Sequence, residues 1–328
     1  MHLSILVSAC AVVSVQSFTV APSVHRRPSP FSLSSAPSLN NQQEFQETSE
    51  VTNKKSWKDD GFVFGLSDSG LQRPKGKVAM TVVDGDSLET KPYQVVLVLS
   101  TLFGHAAFFM NAMMGIWAQQ NYQLGPAALQ TTSLTLASWV LADLGSGILH
   151  WSVDNYGNGR TPIMGGIIAA FQGHHSAPWT ITQRGFCNNV YKLCLPFGLA
   201  PVTLLTWLGA GPQTILFATT FCVLEILSQE FHKWSHMLGS ETPGWVNRLQ
   251  ALGLTVSRKT HGLHHLAPYE GNYSIISGVT NRILDQTGFF RRLEHLIYRW
   301  NGVEANAWKL DAELKERTLR GDYSLRKG

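Results

Sequence analysis

Eight of the twelve histidines in this chain of 328 residues lie in four short clusters. Histidine is the usual protein ligand of iron, copper and zinc. The clusters are His150, the pair His174 and His175, the pair His232 and His236, and the trio His261, His264 and His265. Eight imidazoles exceed what one tetrahedral metal ion binds, so the sequence predicts a centre with two metal ions.

The spacing within two of these clusters suits metal binding on a helix. His232 and His236 are four residues apart, so they share one helical face. His150 has Asp154 at the same spacing. This carboxylate is predicted either to bind a metal ion or to orient a histidine that does.

The other two clusters contain adjacent histidines. On a helix His174 and His175 point in different directions, which suits one ligand for each of two metal ions. The string HxxHH is expected to present His261 together with His264 and His265 along one side of a turn. No HExxH string is present, which argues against a hydrolytic zinc site, and histidine ligation fits iron better than magnesium or calcium, which prefer oxygen ligands.

Four apolar stretches must position these clusters, since about 20 apolar residues cross a bilayer. They are residues 93–118, 126–149, 190–208 and 214–230. Pro196 and Pro201 are predicted to kink the third stretch. The apolar residues 163–171 are too few to span and are expected to lie against the membrane or under the metal site.

The distribution of Lys and Arg orients these spans. The connections at residues 119–125 and 209–212 contain neither residue, whereas both flanking regions and the middle connection contain several. The positive-inside rule then places both termini and the middle connection on one face, which is also where all four histidine clusters fall. Within the spans, His105, Asp143 and Glu225 are expected to face the bundle interior, and His105 is not assigned as a ligand.

Four strings around the clusters resemble one family, the membrane lipid desaturases. They are ADLGSGILHWSVDNYG (142–157), FQGHHSAPWTIT (171–182), QEFHKWSH (229–236) and HGLHHLAPYEGNYSIISGVTNRILD (261–285). This family includes plasmanylethanolamine desaturase and the plastid desaturase that makes trans-3-hexadecenoate on phosphatidylglycerol. The resemblance extends over about residues 93–308.

The resemblance implies a membrane di-iron enzyme that uses oxygen and two electrons to remove two hydrogens from a lipid chain. The family's ligand positions match all eight clustered histidines, with Asp154 as the accompanying acid. The predicted fold is therefore an all-α membrane protein with four transmembrane helices and a histidine-rich di-iron cap on one membrane face. The implied cofactors are two iron ions, with molecular oxygen as co-substrate.

The expected substrate is a membrane glycerolipid, and trans-3 desaturation of palmitate on plastid phosphatidylglycerol is the favoured reaction. The expected partners are ferredoxin as electron donor and the lipid bilayer. A formal charge of +4 without a concentrated basic stripe gives no support for nucleic acid. Residues 282–300 combine apolar and basic side chains and are predicted to form an amphipathic helix at the headgroups or against the cap.

The N-terminal region carries two targeting signals in series. Residues 1–17 are predicted as a signal peptide and residues 18–50 as a plastid transit-like segment, since they contain Ser, Pro and Arg. The Ser17–Phe18 junction resembles the two-part presequences of algae with secondary plastids. The expected location is a plastid (chloroplast) membrane, multi-pass, with the metal site on the stromal side. An ordinary secretory signal with a disordered linker is the alternative.

The remaining boundaries follow from composition: a disordered polar linker at 51–91, the desaturase domain at 92–308 and a charged tail at 309–328. Three other functions stay open. They are an ether-lipid (plasmanylethanolamine) desaturase, a di-iron lipid or carotenoid hydroxylase, and, from a different class, a haem-binding electron-transfer membrane protein. Histidine spacing alone does not separate desaturation from hydroxylation.

Overall fold

A computed structural model describes residues 86–325, and within this part of the chain all regular structure is helical. The predicted signal peptide, the transit-like segment and most of the linker lie outside the described residues. The helices are α1 (Pro92–Gln119), α2 (Leu124–Asn155), α3 (Gly165–His174), α4 (Phe186–Val190), α5 (Leu199–Trp207), α6 (Pro212–His236), α7 (Gly244–Ala251), α8 (Arg258–His264), α9 (Asn281–Gln286), α10 (Phe289–Asn301), α11 (Asn306–Leu310) and α12 (Ala312–Leu319).

Four helical segments are long and apolar enough to cross a membrane, which confirms the predicted all-α fold with four candidate spans. They are α1, α2, the segment Phe186–Trp207 and α6. Large apolar side chains on α1 and α2 point outward, and Phe103 is 73% exposed. In water this exposure would be unfavourable, whereas in a bilayer these side chains contact lipid.

Two of the spans extend further than the apolar pattern alone predicts. The second was predicted to end at residue 149, but α2 continues to Asn155; the fourth was predicted to end at residue 230, but α6 continues to His236. Each extension carries ligand-type side chains on the same continuous helix as the span. The position of these side chains is therefore fixed by the membrane helices themselves.

The third span is interrupted. It consists of α4, a short 3-10 turn at Tyr191–Cys194, and α5, with residues 195–198 between them. Pro196 has no N–H for a helical hydrogen bond, which accounts for the break. Nε2 of His105 lies 3.1 Å from the carbonyl oxygen of Phe197 in this gap and donates to it. His105 thus satisfies a backbone group that would otherwise lack a partner inside a membrane.

Helix α6 is the centre of the bundle and packs against both α1 and α2. Leu216 of α6, Ile116 of α1 and Val202 of α5 are completely buried in one apolar cluster. This packing fixes the rotation of α6 about its axis. Its rotation in turn determines where the two histidines at its C-terminal end point.

The segment predicted as one amphipathic helix over 282–300 is two helices, α9 and α10. Gly288 separates them with a φ of 60°, a left-handed conformation that favours glycine. Leu296 and Trp300 on α10 are exposed, as an interfacial helix requires. Arg291, however, is 1% exposed, so it does not face the headgroups.

Arg291 instead belongs to a buried polar network that joins α10 to α2 and α11. Its guanidinium lies 2.6 Å from Oε1 of Glu294. Trp151 and Trp308 donate their indole N–H groups to the same carboxylate at 3.0 and 2.8 Å. Breaking such a buried pair costs about 3–5 kcal/mol, so the network anchors the C-terminal helices to the bundle.

The predicted charged tail contains α12, which packs onto the rest of the structure. Asp311 caps this helix by accepting the backbone N–H of Leu314 at 3.1 Å. Leu314 is 1% exposed and lies in an apolar cluster with Trp308. The described part of this tail is therefore folded against residues of the domain.

Candidate metal centre

The nine side chains predicted to bind metal come together in two groups that could each hold a metal ion. The first contains five histidines and the second contains three histidines and one carboxylate, and in each group the potential ligand atoms lie within 4.8 Å of one another. The first group is His174, His232, His236, His261 and His265. The second group is His150, Asp154, His175 and His264.

In the five-histidine group the Nε2 atoms point at one another. Nε2 of His236 lies 2.9 Å from that of His174 and 3.2 Å from that of His232. Nε2 of His265 lies 3.0 Å from that of His261. Convergent imidazole nitrogens on one small volume are the donor set that a transition metal ion requires.

In the second group three imidazoles surround one carboxylate oxygen. Oδ2 of Asp154 lies 3.1 Å from Nε2 of His175, 3.3 Å from that of His150 and 3.4 Å from that of His264. The other oxygen, Oδ1, is buried without a hydrogen-bond partner among residues 86–325. A buried carboxylate with an unsatisfied oxygen beside three imidazoles fits a bound cation.

Backbone carbonyls fix the tautomer of two histidines in the second group. Nδ1 of His150 lies 2.9 Å from the carbonyl oxygen of Tyr273, and Nδ1 of His264 lies 2.9 Å from that of Gly271. Each Nδ1 must donate, which leaves the lone pair on Nε2 toward Asp154. Metal-binding histidines in proteins have this arrangement, with the second ring nitrogen bonded to an acceptor.

Burial keeps the imidazoles outside the spans neutral. It lowers the pKa of His174, His261 and His265 well below 6.5, and the neighbouring histidines lower it further. A neutral imidazole is the form that binds metal. At neutral pH these side chains therefore have lone pairs ready for ligation.

Short helices on the cap are held by polar contacts that place the histidines. The side chain of Gln172 on α3 donates to the carbonyl of Val153 at 3.0 Å, which joins α3 to the end of α2. Ser257 caps α8 by accepting the N–H of Thr260 at 3.1 Å. The side chain of Ser257 thus stabilises the N-terminal end of the helix on which His261 and His264 lie.

A single carboxylate inside the bundle holds the loop that supplies the carbonyls. Oδ1 of Asp143 accepts the N–H groups of Ser277 and Gly278 at 2.7 and 2.8 Å. Oδ2 accepts the N–H and the hydroxyl of Thr280 at 2.9 and 2.6 Å. Asp143 thus faces the bundle interior as expected, and it anchors residues 277–280.

Glu225 also faces the bundle interior and is 1% exposed. Neither of its carboxylate oxygens has a hydrogen-bond partner among residues 86–325. It lies against Gly145 of α2, where a methyl group in place of hydrogen would come within 2.4 Å of Oε1. Gly145 therefore makes room for this side chain.

The structure assigns adjacent histidines to different groups. His174 belongs to the first and His175 to the second, as their different directions on a helix predict. The HxxHH string was expected to present its three histidines on one side, but it divides: His261 and His265 lie in the first group and His264 in the second. Nε2 of His265 lies 3.0 Å from that of His261, whereas Nε2 of His264 lies 3.4 Å from Oδ2 of Asp154.

Sequence reasoning did not assign roles to several residues that support the centre. Besides Tyr273 and Gln172, Asn155 donates to the Tyr273 hydroxyl at 3.1 Å, and Asn306 donates to the carbonyl of Asp154 at 2.9 Å. Three of the four lie inside or beside the motif strings. Their polar side chains in buried surroundings were the available signal.

A cavity of about 100 Å³ reaches the first group. Its lining includes His174 and His232 together with apolar side chains of α3 and the third span. Polar and charged residues also line it: Asp86, Arg184, Asn188, Asn189 and Lys192. The cavity therefore connects proposed metal ligands with both an apolar and a charged surface.

The domain family described as the lipid desaturase domain matches residues 139–308, which is more than half of the chain. The chain belongs to this family. All nine ligand-type residues lie within the matched range. No solved structure gives a significant match.

Curated relatives of this chain carry desaturase names. Fatty acid desaturase 4, chloroplastic, of Arabidopsis thaliana is 45% identical over 174 residues, covering 52% of this chain and 53% of that protein. Fatty acid desaturase 4-like 1, chloroplastic, of the same plant is 44% identical, covering 55% and 61%. Plasmanylethanolamine desaturase 1 of Mus musculus is 34% identical, covering 52% and 66%. The matches thus span about half to two thirds of these relatives.

Proposed function

We propose that this protein is an oxygen-dependent acyl-lipid desaturase whose centre holds two iron ions, one in each group of ligand-type side chains. The single observation that carries the proposal is the convergence of nine buried or partly buried donors, of which His150, Asp154, His232 and His236 lie at the C-terminal ends of two candidate membrane spans. Family membership and the desaturase names of the relatives support it.

The proposed centre would supply chemistry that side chains lack. Iron with molecular oxygen is strong enough to cleave an unactivated C–H bond. In the overall reaction a –CH2–CH2– unit loses two hydrogens and becomes –CH=CH–, while O2 takes these two hydrogens, two electrons and two protons to give two water molecules. The protein holds the ions through neutral imidazoles and keeps Asp154 among the second group.

The favoured substrate is palmitate on plastid phosphatidylglycerol, desaturated in the trans-3 position. Charged residues and His174 line the same small cavity. If the polar headgroup of a lipid lies at the charged residues, only a few bonds of the lipid separate that headgroup from the histidines. That proximity favours oxidation close to the ester end of a chain over oxidation in its middle. The chloroplastic relatives favour the plastid substrate.

The location and the donor follow from the same proposal. The transit-like composition of residues 18–50 and the names of the chloroplastic relatives support a plastid membrane. The positive-inside rule would put the centre on the stromal side. Ferredoxin, a small one-electron carrier of that compartment, would then supply the two electrons in two steps.

The test is lipid analysis after expression beside a plastid-type ferredoxin system, comparing the wild type with His265→Ala. Wild type is expected to add one trans double bond at carbon 3 of palmitate on phosphatidylglycerol, and His265→Ala is expected to add none. His295→Ala is the control, because His295 lies outside both groups and contacts the Tyr323 hydroxyl at 2.8 Å.

Other products would contradict this proposal in distinct ways. If phosphatidylglycerol is unchanged and a new vinyl ether lipid appears, the protein would be an ether-lipid desaturase, as the name of the mouse relative suggests. An inserted oxygen atom would indicate a hydroxylase. A strong haem absorption band with no bound non-haem iron would overturn the di-iron centre itself.

A further inference from the structure

Among the charged residues that line the cavity, Lys192 is the one without a hydrogen bond or ion pair to another described residue. It lies in the 3-10 turn between α4 and α5 and is partly buried. No hydrogen bond and no ion pair joins its ammonium group to a residue in 86–325, and its electrostatic interactions there are a longer-range attraction to Asp86 and a repulsion from Arg184. An ammonium group partly removed from water is unfavourable without an anion, so this position calls for a negatively charged ligand.

The two other formally charged residues of the cavity, Asp86 and Arg184, are already paired with each other. Arg184 lies 2.5 Å from Asp86 and donates to Asn188 at 2.8 Å. Two cations against one carboxylate leave the lining with one positive charge, which resides on Lys192. Asp86 attracts Lys192 through space but forms no ion pair with it, because its two oxygens are both bonded to the Arg184 guanidinium.

The nearby Glu230 is also occupied and does not pair with Lys192. Its Oε1 accepts from Lys233 and Trp234, each at 3.1 Å, and its Oε2 accepts from Asn189 at 3.0 Å. The uncompensated charge is therefore Lys192, in the cavity whose lining includes His174 and His232.

We propose that Lys192 binds the headgroup phosphate of the glycerolipid substrate and makes the enzyme selective for lipids that carry a phosphate. This inference rests on the proposed lipid substrate. Lys192 lies in the N-terminal part of the candidate span Phe186–Trp207, from which a long lysine side chain can extend toward the headgroup phosphates. Leu193 and Ile181 line the same cavity and give the attached chain an apolar surface.

The test is direct lipid binding by the full chain in a non-ionic detergent, without donor or turnover. The probes are short-chain phosphatidylglycerol, short-chain monogalactosyldiacylglycerol, which has no phosphate, and inorganic phosphate. Lys192→Met should raise the Kd for phosphatidylglycerol roughly tenfold to hundredfold, the usual effect of one hydrogen bond to a charged group. Binding of the galactolipid should not change, and this also reports that the variant is folded.

Two further variants sharpen the result. Lys192→Arg keeps the charge and should retain most of the affinity for phosphatidylglycerol. Lys91→Met is the matched control, because Lys91 precedes the first span, is exposed and lies outside the cavity. It should bind all three probes as the wild type does.

The proposal is overturned if Lys192→Met binds phosphatidylglycerol as tightly as the wild type, or if it weakens both lipids equally. It is also overturned if inorganic phosphate displaces phosphatidylglycerol at equal concentration, because the site would then bind a free anion. If Lys192→Met weakens the binding of phosphatidylglycerol and leaves that of the galactolipid unchanged, the role of Lys192 is supported. This holds even if the wild type forms no double bond in the lipid analysis, since that result would refute only the proposed function.

Discussion

The backbone carbonyl of Tyr273 lies 2.9 Å from Nδ1 of His150, although 123 positions separate the two residues. Because a carbonyl only accepts, Nδ1 carries the proton, and Nε2 keeps its lone pair toward Asp154. A loop far along the chain thus sets the tautomer of a proposed ligand. The same loop is held by Asp143, so one carboxylate inside the bundle acts on the centre through the backbone.

Removing one imidazole from either group is expected to lower bound iron. His236→Ala takes a donor from the first group and His264→Ala takes one from the second. Elemental analysis of the purified protein should give less iron per chain for each variant than for the wild type. His295→Ala should retain the wild-type iron content, and full iron in both ligand variants would refute the assignment of the two groups.

Asp143→Ala is expected to destabilise the protein and to reduce iron binding together. The substitution leaves three backbone N–H groups of residues 277–280 without their acceptor. We expect the free energy of unfolding to fall by about 3–5 kcal/mol, measured by denaturant titration in micelles.

A matched substitution at an exposed aspartate tests whether the loss of stability and of iron is specific to Asp143 or follows the loss of any carboxylate. Asp322 is exposed and pairs with Arg317, so Asp322→Ala should change neither stability nor iron content measurably. If Asp143→Ala lost stability but bound iron normally, Asp143 would not position the centre.

Gly147→Ala is expected to displace the loop that carries Tyr273. A methyl group there would lie 2.4 Å from Oγ and 3.2 Å from the backbone nitrogen of Ser274. Ser274 has little freedom to move, because Asn281 accepts its N–H at 2.8 Å. The melting temperature should fall, whereas Gly125→Ala, which meets nothing within 4 Å, should leave it unchanged or raise it.

The pH dependence of stability should contain a contribution from Asp285. Burial raises the pKa of this carboxyl from 3.8 to about 6. The hydrogen bond that it accepts from the N–H of Asn272 acts in the other direction and lowers the pKa, but burial has the larger effect. Between about pH 4 and pH 6 the folded chain holds a proton that the unfolded chain has released. Unfolding then releases a proton, so this contribution to stability is present at low pH and is lost as the pH rises through about 6.

The measurement compares the wild type with Asp285→Asn, which has no titrating carboxyl. The melting temperature of the wild type minus that of the variant should decrease as pH rises from 4 to 6 and then level off. A difference that stays constant or increases over this range would show that burial does not hold the proton on Asp285.

The identity of the ligand-type residues and the four spans could be predicted because both depend on local spacing. A helix places residues four apart on one face, which is why His232 and His236 act together. A bilayer needs about 20 apolar residues, which is a property of composition. The interruption of the third span has a local signal in Pro196, but the 3-10 turn before it could not be deduced from the sequence.

By itself the sequence determined which side chains meet, on which helices and at which end of the membrane spans. Only the tertiary structure decided how nine donors divide into groups of five and four, with His264 separated from His265. It also decided that Tyr273 and Gly271 orient two imidazoles and that Lys192 lines the same cavity as His174 without an ion pair among the described residues. These relationships join residues far apart in the chain, so they depend on how the helices pack, which periodicity does not encode.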